Sequence, residues 1–163
     1  MASKIAPCLW FDTQAEEAAR YYLGIFPHSK ITAISYYPDS GQEIHGKPAG
    51  SVLTVAFELN GQSFTALNGG PQFQFSPAVS LIVECEDQAE IDYYWEKLSA
   101  GGDPTAQQCG WVSDKFGLSW QIIPKHLPAL LVDADPAKSK RVFQAIMGMV
   151  KLDIAALQRA FAG

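Results

Sequence analysis

Apolar and polar positions along this chain follow two rhythms, and the change from one to the other happens in the same order twice. From Gln14 onward Ala15, Ala18, Ala19, Tyr22 and Phe26 recur at the spacing of one helical face, and Pro27 stops the run. Asp12 and Thr13 offer N-cap chemistry ahead of it, with Glu16 and Glu17 in the first turn where the helix dipole favours acids. Period-two alternation then predicts a strand over Lys30 to Tyr37, a turn at Pro38 to Gly41, and a polar loop from Asp39 to Gly50. Ser51 to Leu59 and Gln62 to Leu67 read as a hairpin across Asn60-Gly61, a dipeptide suited to a type I′ turn. In the second half a helix starts at Glu86 or Asp87, runs through Trp95 and Leu98, and stops at Gly101-Gly102. Strands follow over Thr105 to Ser113 and Leu118 to Pro124, joined by a turn at Asp114 to Gly117.

Residue matches support a duplicated unit. Ala6 to Phe11 pairs with Ala78 to Val83, Gln14-Ala15-Glu16 with Gln88-Ala89-Glu90, and Tyr21-Tyr22 with Tyr93-Tyr94. Each half closes on a Gly-x-Ser-aromatic-polar strand: Gly61, Ser63, Phe64, Thr65 and then Gly117, Ser119, Trp120, Gln121. The remaining residues have no counterpart. Asp135-Pro136 predicts an N-cap followed by proline at the first helical position, with an apolar stripe at Val142, Phe143, Ile146, Met147 and Val150. Asp153 predicts the cap of a last helix bearing Ile154, Leu157 and Phe161. The stripe has two readings, packing against the sheet or a dimer contact.

Composition narrows the class. The chain has 163 residues, 48% of them hydrophobic, and a net charge of -5, which gives a phosphate backbone no basic stripe to follow. Lys138, Lys140 and Arg141 read as the solvated face of a helix rather than a nucleic-acid patch. No signal-peptide pattern opens the sequence and no stretch approaches the length of a membrane span. Three cysteines without C-x-x-C spacing predict free thiols, and with them a cytoplasmic protein.

Three stretches resemble the PhnB-like branch of the vicinal oxygen chelate superfamily, which includes glyoxalase I, bleomycin-resistance proteins and extradiol dioxygenases. They are PCLWFD (Pro7 to Asp12), ALNGGP (Ala66 to Pro71) and CGWVSDKFGLSWQIIP (Cys109 to Pro124), and the tail KLDIAALQRAFAG extends the likeness. The resemblance implies an α+β fold of two βαβββ modules, residues 1–71 and 72–125, curved into a cup-shaped sheet. It also implies a homodimer, with a helical tail, 126–163, that packs on the sheet or forms a dimer interface. Enzymes of the superfamily hold a metal on the first and last strands of each module, through His, Glu or Gln. Members of this branch often carry a demethylubiquinone methyltransferase label.

Alternation assigns the faces. Val79, Leu81 and Val83 are uniformly apolar and should lie under the helix, leaving Ala78, Ser80 and Ile82 toward the cup; by the repeat, Ala6, Cys8 and Trp10 match them. On the last strands the cup side is Ser63, Thr65 and Leu67, then Ser119, Gln121 and Ile123. The positions matching the superfamily's metal ligands are then Ala6, Thr65, Ala78 and Gln121. Two methyl groups, a hydroxyl and an amide do not make a divalent-cation site, so no metal and no cofactor is expected. The expected ligand residues are Cys8, Trp10, Thr65, Ser80, Trp111 and Gln121, an apolar wall with a few convergent polar groups; the resemblance further implies Phe73, Phe75 and Trp111 near the mouth, for stacking on a planar molecule. The alternative is that these polar groups bond to one another or to trapped water.

Three functions remain open. The leading one is a metal-independent protein that sequesters or senses a small, partly apolar molecule. The second is a lyase, isomerase or dioxygenase whose metal or acid-base groups come from loops, His45 and Asp114 first. The third is an interaction module using the tail stripe. The glycine doublets Gly69-Gly70 and Gly101-Gly102 form no G-x-G-x-x-G after a strand, so a Rossmann-type S-adenosylmethionine site is not expected.

Overall fold

The computed structural model describes residues 5–163. The chain divides into two compact units, Met1–Gln74 and Phe75–Gly163. The first contains β1 (Cys8–Phe11), α1 (Ala15–Leu23), β2 (Lys30–Tyr36), the single-turn α2 (Gln42–His45), β3 (Val52–Leu59) and β4 (Gln62–Asn68). Its sheet has the order β1-β4-β3-β2, with β1 parallel to β4 and the other pairs antiparallel. Asn60 (φ 47°) and Gly61 (φ 83°) are both left-handed, as a type I′ turn requires, and the turn sets Leu59 opposite Gln62.

The close packing of α1 follows from its small residues. Ala15, Ala18 and Ala19 are buried with Tyr22, and they let the helix settle on the sheet face that carries Leu9, Phe11, Val55, Phe57, Phe64 and Ala66, all buried. Phe57 and Phe64 stack at 5.4 Å. The cap of α1 differs from the sequence expectation. No side chain caps it from Gln14; instead Asn68 Oδ1, at the far end of β4, accepts from Ala15 N at 2.8 Å. Asp12 is used elsewhere, taking Lys47 Nζ on its carboxylate at 3.2 Å and on its backbone carbonyl at 2.9 Å.

The second unit contains β5 (Ser80–Cys85), α3 (Gln88–Ser99), a 3-10 turn (Pro104–Ala106), β6 (Trp111–Ser113) and β7 (Ser119–Pro124), then α4 (Leu127–Leu131), α5 (Pro136–Met147) and α6 (Ile154–Ala162). Its sheet has three strands in the order β5-β7-β6, one fewer than the βαβββ pattern. The strand expected over Thr105 to Ser113 shrinks to β6 for a local reason. Cys109 (φ 53°) and Gly110 (φ 85°) are both left-handed and turn the chain so that Gln108 bridges Trp111. Gly102 lies so close to β6 that a Cβ there would sit 1.8 Å from the Ser113 carbonyl oxygen.

The predicted caps hold in this unit. Asp87, Asp135 and Asp153 accept from Glu90 N, Ala137 N and Ala156 N. The tail stripe divides: Val142 and Ile146 are buried with Leu127, Leu152 and Leu157, against partly buried Cys109 and Ile123, whereas Phe143 (54% exposed), Met147 and Val150 face outward. The tail also joins the backbone ladder, because Met149 O and Val150 O accept from Cys109 N and Gly110 N at 2.9 and 2.8 Å.

Candidate functional site

Each sheet packs a helix on one face, and the expected ligand residues fall on the other. In the first unit Cys8 pairs with Thr65 and Trp10 with Leu67 in register, opposite the face that α1 covers. Trp10 is held in place by its polar edge: Nε1 donates to Gly70 O at 2.8 Å, and Phe73 meets the ring edge-on at 5.0 Å. Gly69 makes this possible, since a Cβ there would come within 2.1 Å of the indole. Gly69→Ala is therefore expected to displace Trp10 and cost about 1–3 kcal/mol, read as a lower urea midpoint with a shifted tryptophan emission. Thr65 is half-buried and Cys8 exposed.

In the second unit Ser80, Ile82, Gln121 and Trp111 share the face away from α3, with Ile82 opposite Gln121 on one side and Trp111 opposite it on the other. Gln121 Nε2 donates to Ser80 Oγ at 2.8 Å, so two of the polar groups do bond to each other. Val83 and Cys85 are buried on the α3 face together with Trp120 and Ile122. Val79 departs from expectation, lying ahead of β5 and 70% exposed.

Other candidates from the sequence have structural duties. Asp114 is a buried turn anchor: its carboxylate accepts from Phe116 N, Leu118 N and, at 2.8 Å, from Trp120 Nε1. His45 packs against Tyr37 with the rings tilted by 34° at 4.6 Å, and its Nδ1 accepts from Lys47 N. Cys109 lies in the turn before β6, against the tail cluster. Burial, followed by the carboxylates of Glu90 and Asp87, pushes the Cys85 thiol up to about 12, while desolvation raises Cys8 more modestly. At pH 8 iodoacetamide is expected to modify exposed Cys8 and to spare Cys85 until the chain unfolds. Because unfolding returns Cys85 toward its ordinary 9.0, the unfolded chain loses that proton first. Stability thus falls as pH rises from about 9 toward 12, and Cys85→Ala flattens the fall in urea midpoints.

The metal positions implied by the resemblance hold Ala6, Thr65, Ala78 and Gln121, a set with two oxygen donors, one hydroxyl and one amide carbonyl, and no carboxylate or imidazole. These residues do not fit a divalent ion. Among the described residues no three His, Cys, Asp or Glu side chains gather in a group able to hold one.

A cleft of about 510 Å³ in the second unit was not foreseen and contains none of the expected ligand residues. Glu86, Asp87, Gln88, His126, Asp153 and Gln158 are among its lining. It lies where α3 and α6 begin, and it exists because the tail folds back there: Gln88 Oε1 accepts from Ile154 N and Gln88 Nε2 donates to Leu152 O.

A family model described as 3-demethylubiquinone-9 3-methyltransferase matches residues 3–123. The PhnB protein from Bacillus cereus is 36% identical over 74% of this chain and 99% of its own, with a TM-score of 0.62. The chain belongs to the PhnB-like family. Protein PA1353 from Pseudomonas aeruginosa, 20% identical over 76% of this chain and 98% of its own, shares the fold with a TM-score of 0.58. No curated protein matches the chain. The match of this PhnB-like chain to the family model ends at residue 123, before α4, α5 and α6. Among its described residues no helix is long and apolar enough to cross a membrane.

Proposed function

We propose that this PhnB-like protein binds a small, partly apolar, planar molecule on the helix-free faces of its sheets, without a metal ion, and so sequesters or senses it. One observation carries the reading. Each sheet buries one face under its helix and keeps on the other an aromatic ring and nearby polar groups: Trp10 one row along from Thr65, which faces Cys8, and Trp111 opposite Gln121, which bonds Ser80. Aromatic surface with a few polar groups is the usual chemistry of small-molecule sites.

Homodimerisation and a cytoplasmic location belong to the same reading. The first rests on the family resemblance and on the outward Phe143 and Met147. The second rests on the free thiols of Cys8, Cys85 and Cys109. Methyl transfer, named in the family description, is not part of it. Gly69 is fitted to Trp10 and Gly102 to the Ser113 carbonyl, so neither glycine doublet forms the strand-to-helix glycine loop of a Rossmann-type S-adenosylmethionine site. A metal-dependent lyase, isomerase or dioxygenase would need loop groups, and Asp114 and His45 are occupied by the turn and by Tyr37 and Lys47.

A thermal-shift screen of small aromatic compounds in EDTA tests the proposal. Ligand at about 100 times its Kd adds about 2.7 kcal/mol, several degrees in Tm for a chain of this size. Hits are expected in EDTA and should disappear in Trp10→Ala or Gln121→Leu. Hits that appear only after Zn²⁺ or Mn²⁺ is added would overturn the metal-free reading.

A further inference from the structure

We infer that the helix-free face of the second sheet selects flat molecules carrying a hydrogen-bond donor beside an acceptor, as a cyclic amide does. The inference rests on the ligand-binding reading and names the group recognised on this face. Three side chains lie in one row across the strands: Ile82 on β5, Gln121 on β7 and Trp111 on β6. Ile82 is 57% exposed and Trp111 half-buried, so an apolar side chain and an aromatic ring flank a single amide.

That amide has a set direction. Its Nε2 donates to Ser80 Oγ at 2.8 Å, reaching diagonally from the Ile82 row to the Ser80 row. Oε1 has no partner among the described residues and stands as an acceptor. Ser80 accepts from Gln121 and therefore keeps its own hydroxyl proton to give. The face thus presents an acceptor and a donor side by side between an apolar neighbour and an indole. A ligand N–H bonds Gln121 Oε1 while the adjacent ligand carbonyl accepts from Ser80 Oγ. A ligand with acceptors alone would set oxygen against oxygen at Gln121 and leave Oε1 unpaired as the ring covers it.

The test is a titration of the ¹⁵N-labelled full chain with 2-quinolone, whose ring N–H adjoins its carbonyl, and with N-methyl-2-quinolone, which lacks that donor. The Gln121 side-chain amide and Trp111 indole signals are followed. We expect 2-quinolone to shift both signals and to bind at least about tenfold more tightly than the methylated compound. Binding of 2-quinolone should be lost in Gln121→Leu and its preference over the methylated compound should weaken in Ser80→Ala, with the spectrum of each variant reporting that it is folded. Equal affinities at this face overturn donor selection but leave the ligand-binding reading standing. Failure of both compounds to shift these signals overturns the inference, whereas the wider reading stands as long as the thermal-shift screen gives hits in EDTA that depend on Trp10 or Gln121.

Discussion

A chain ending at Lys125 is expected to lose the cooperative fold of its second half. The cut removes Leu127, Val142, Ile146, Leu152 and Leu157, which form one buried cluster, and uncovers Cys109 and Ile123. It also strips Cys109 N and Gly110 N of the Met149 and Val150 carbonyls, leaving two donors unpaired beside β6. Truncating a single buried leucine to alanine costs about 2–5 kcal/mol, a large share of the 5–15 kcal/mol by which domains of ordinary size are stable. Leu152→Ala alone should therefore lower the urea midpoint clearly, and the truncation should abolish the second unit's transition. The Bacillus cereus relative sharpens the test, because nearly all of its chain is covered by about three-quarters of this one. A truncated chain that melts like the full one would make the tail an appendage and return Phe143 and Met147 to consideration as its working surface.

Asp114→Ala is expected to cost about 3–5 kcal/mol. The carboxylate is buried and accepts from two backbone N–H groups of its own turn and from the Trp120 indole, among others. Alanine leaves all three without an acceptor in a place water does not easily reach. Asp114→Asn keeps an acceptor for the turn but brings an amide NH₂ toward Trp120 Nε1, so it should recover only part of the loss. Urea midpoints of the two variants and the wild type decide the point. If Asp114→Ala matches the wild type in stability, the residue is not a structural anchor, and a catalytic role for it becomes attractive again.

These cases show where sequence reasoning reaches. The Asn60-Gly61 hairpin, the caps at Asp87, Asp135 and Asp153, and the helix-facing Phe64 and Trp120 were legible because each depends on residues within a few positions. The cap of α1 was not, because Asn68 supplies it from 53 positions away and thereby frees Asp12 for Lys47. Nor was the short β6, since Cys109 is an unusual residue for a left-handed position and gave no turn signal. At the candidate site, alternation placed Trp10, Thr65, Ser80 and Gln121 on their faces. It could not show that Ser80 would orient the Gln121 amide. The cleft at His126 had no sequence signal, being assembled by the tail folding back on the start of α3.

The most direct measurement is a crystal structure of the protein soaked, in the presence of EDTA, with the strongest thermal-shift hit. The account predicts ligand density in contact with Trp10 and Thr65, or with Gln121 and Trp111, and no cation coordinated by Thr65 or Gln121. Density confined to the cleft among Glu86, His126 and Asp153, or a metal ion bound at Gln121, would contradict it.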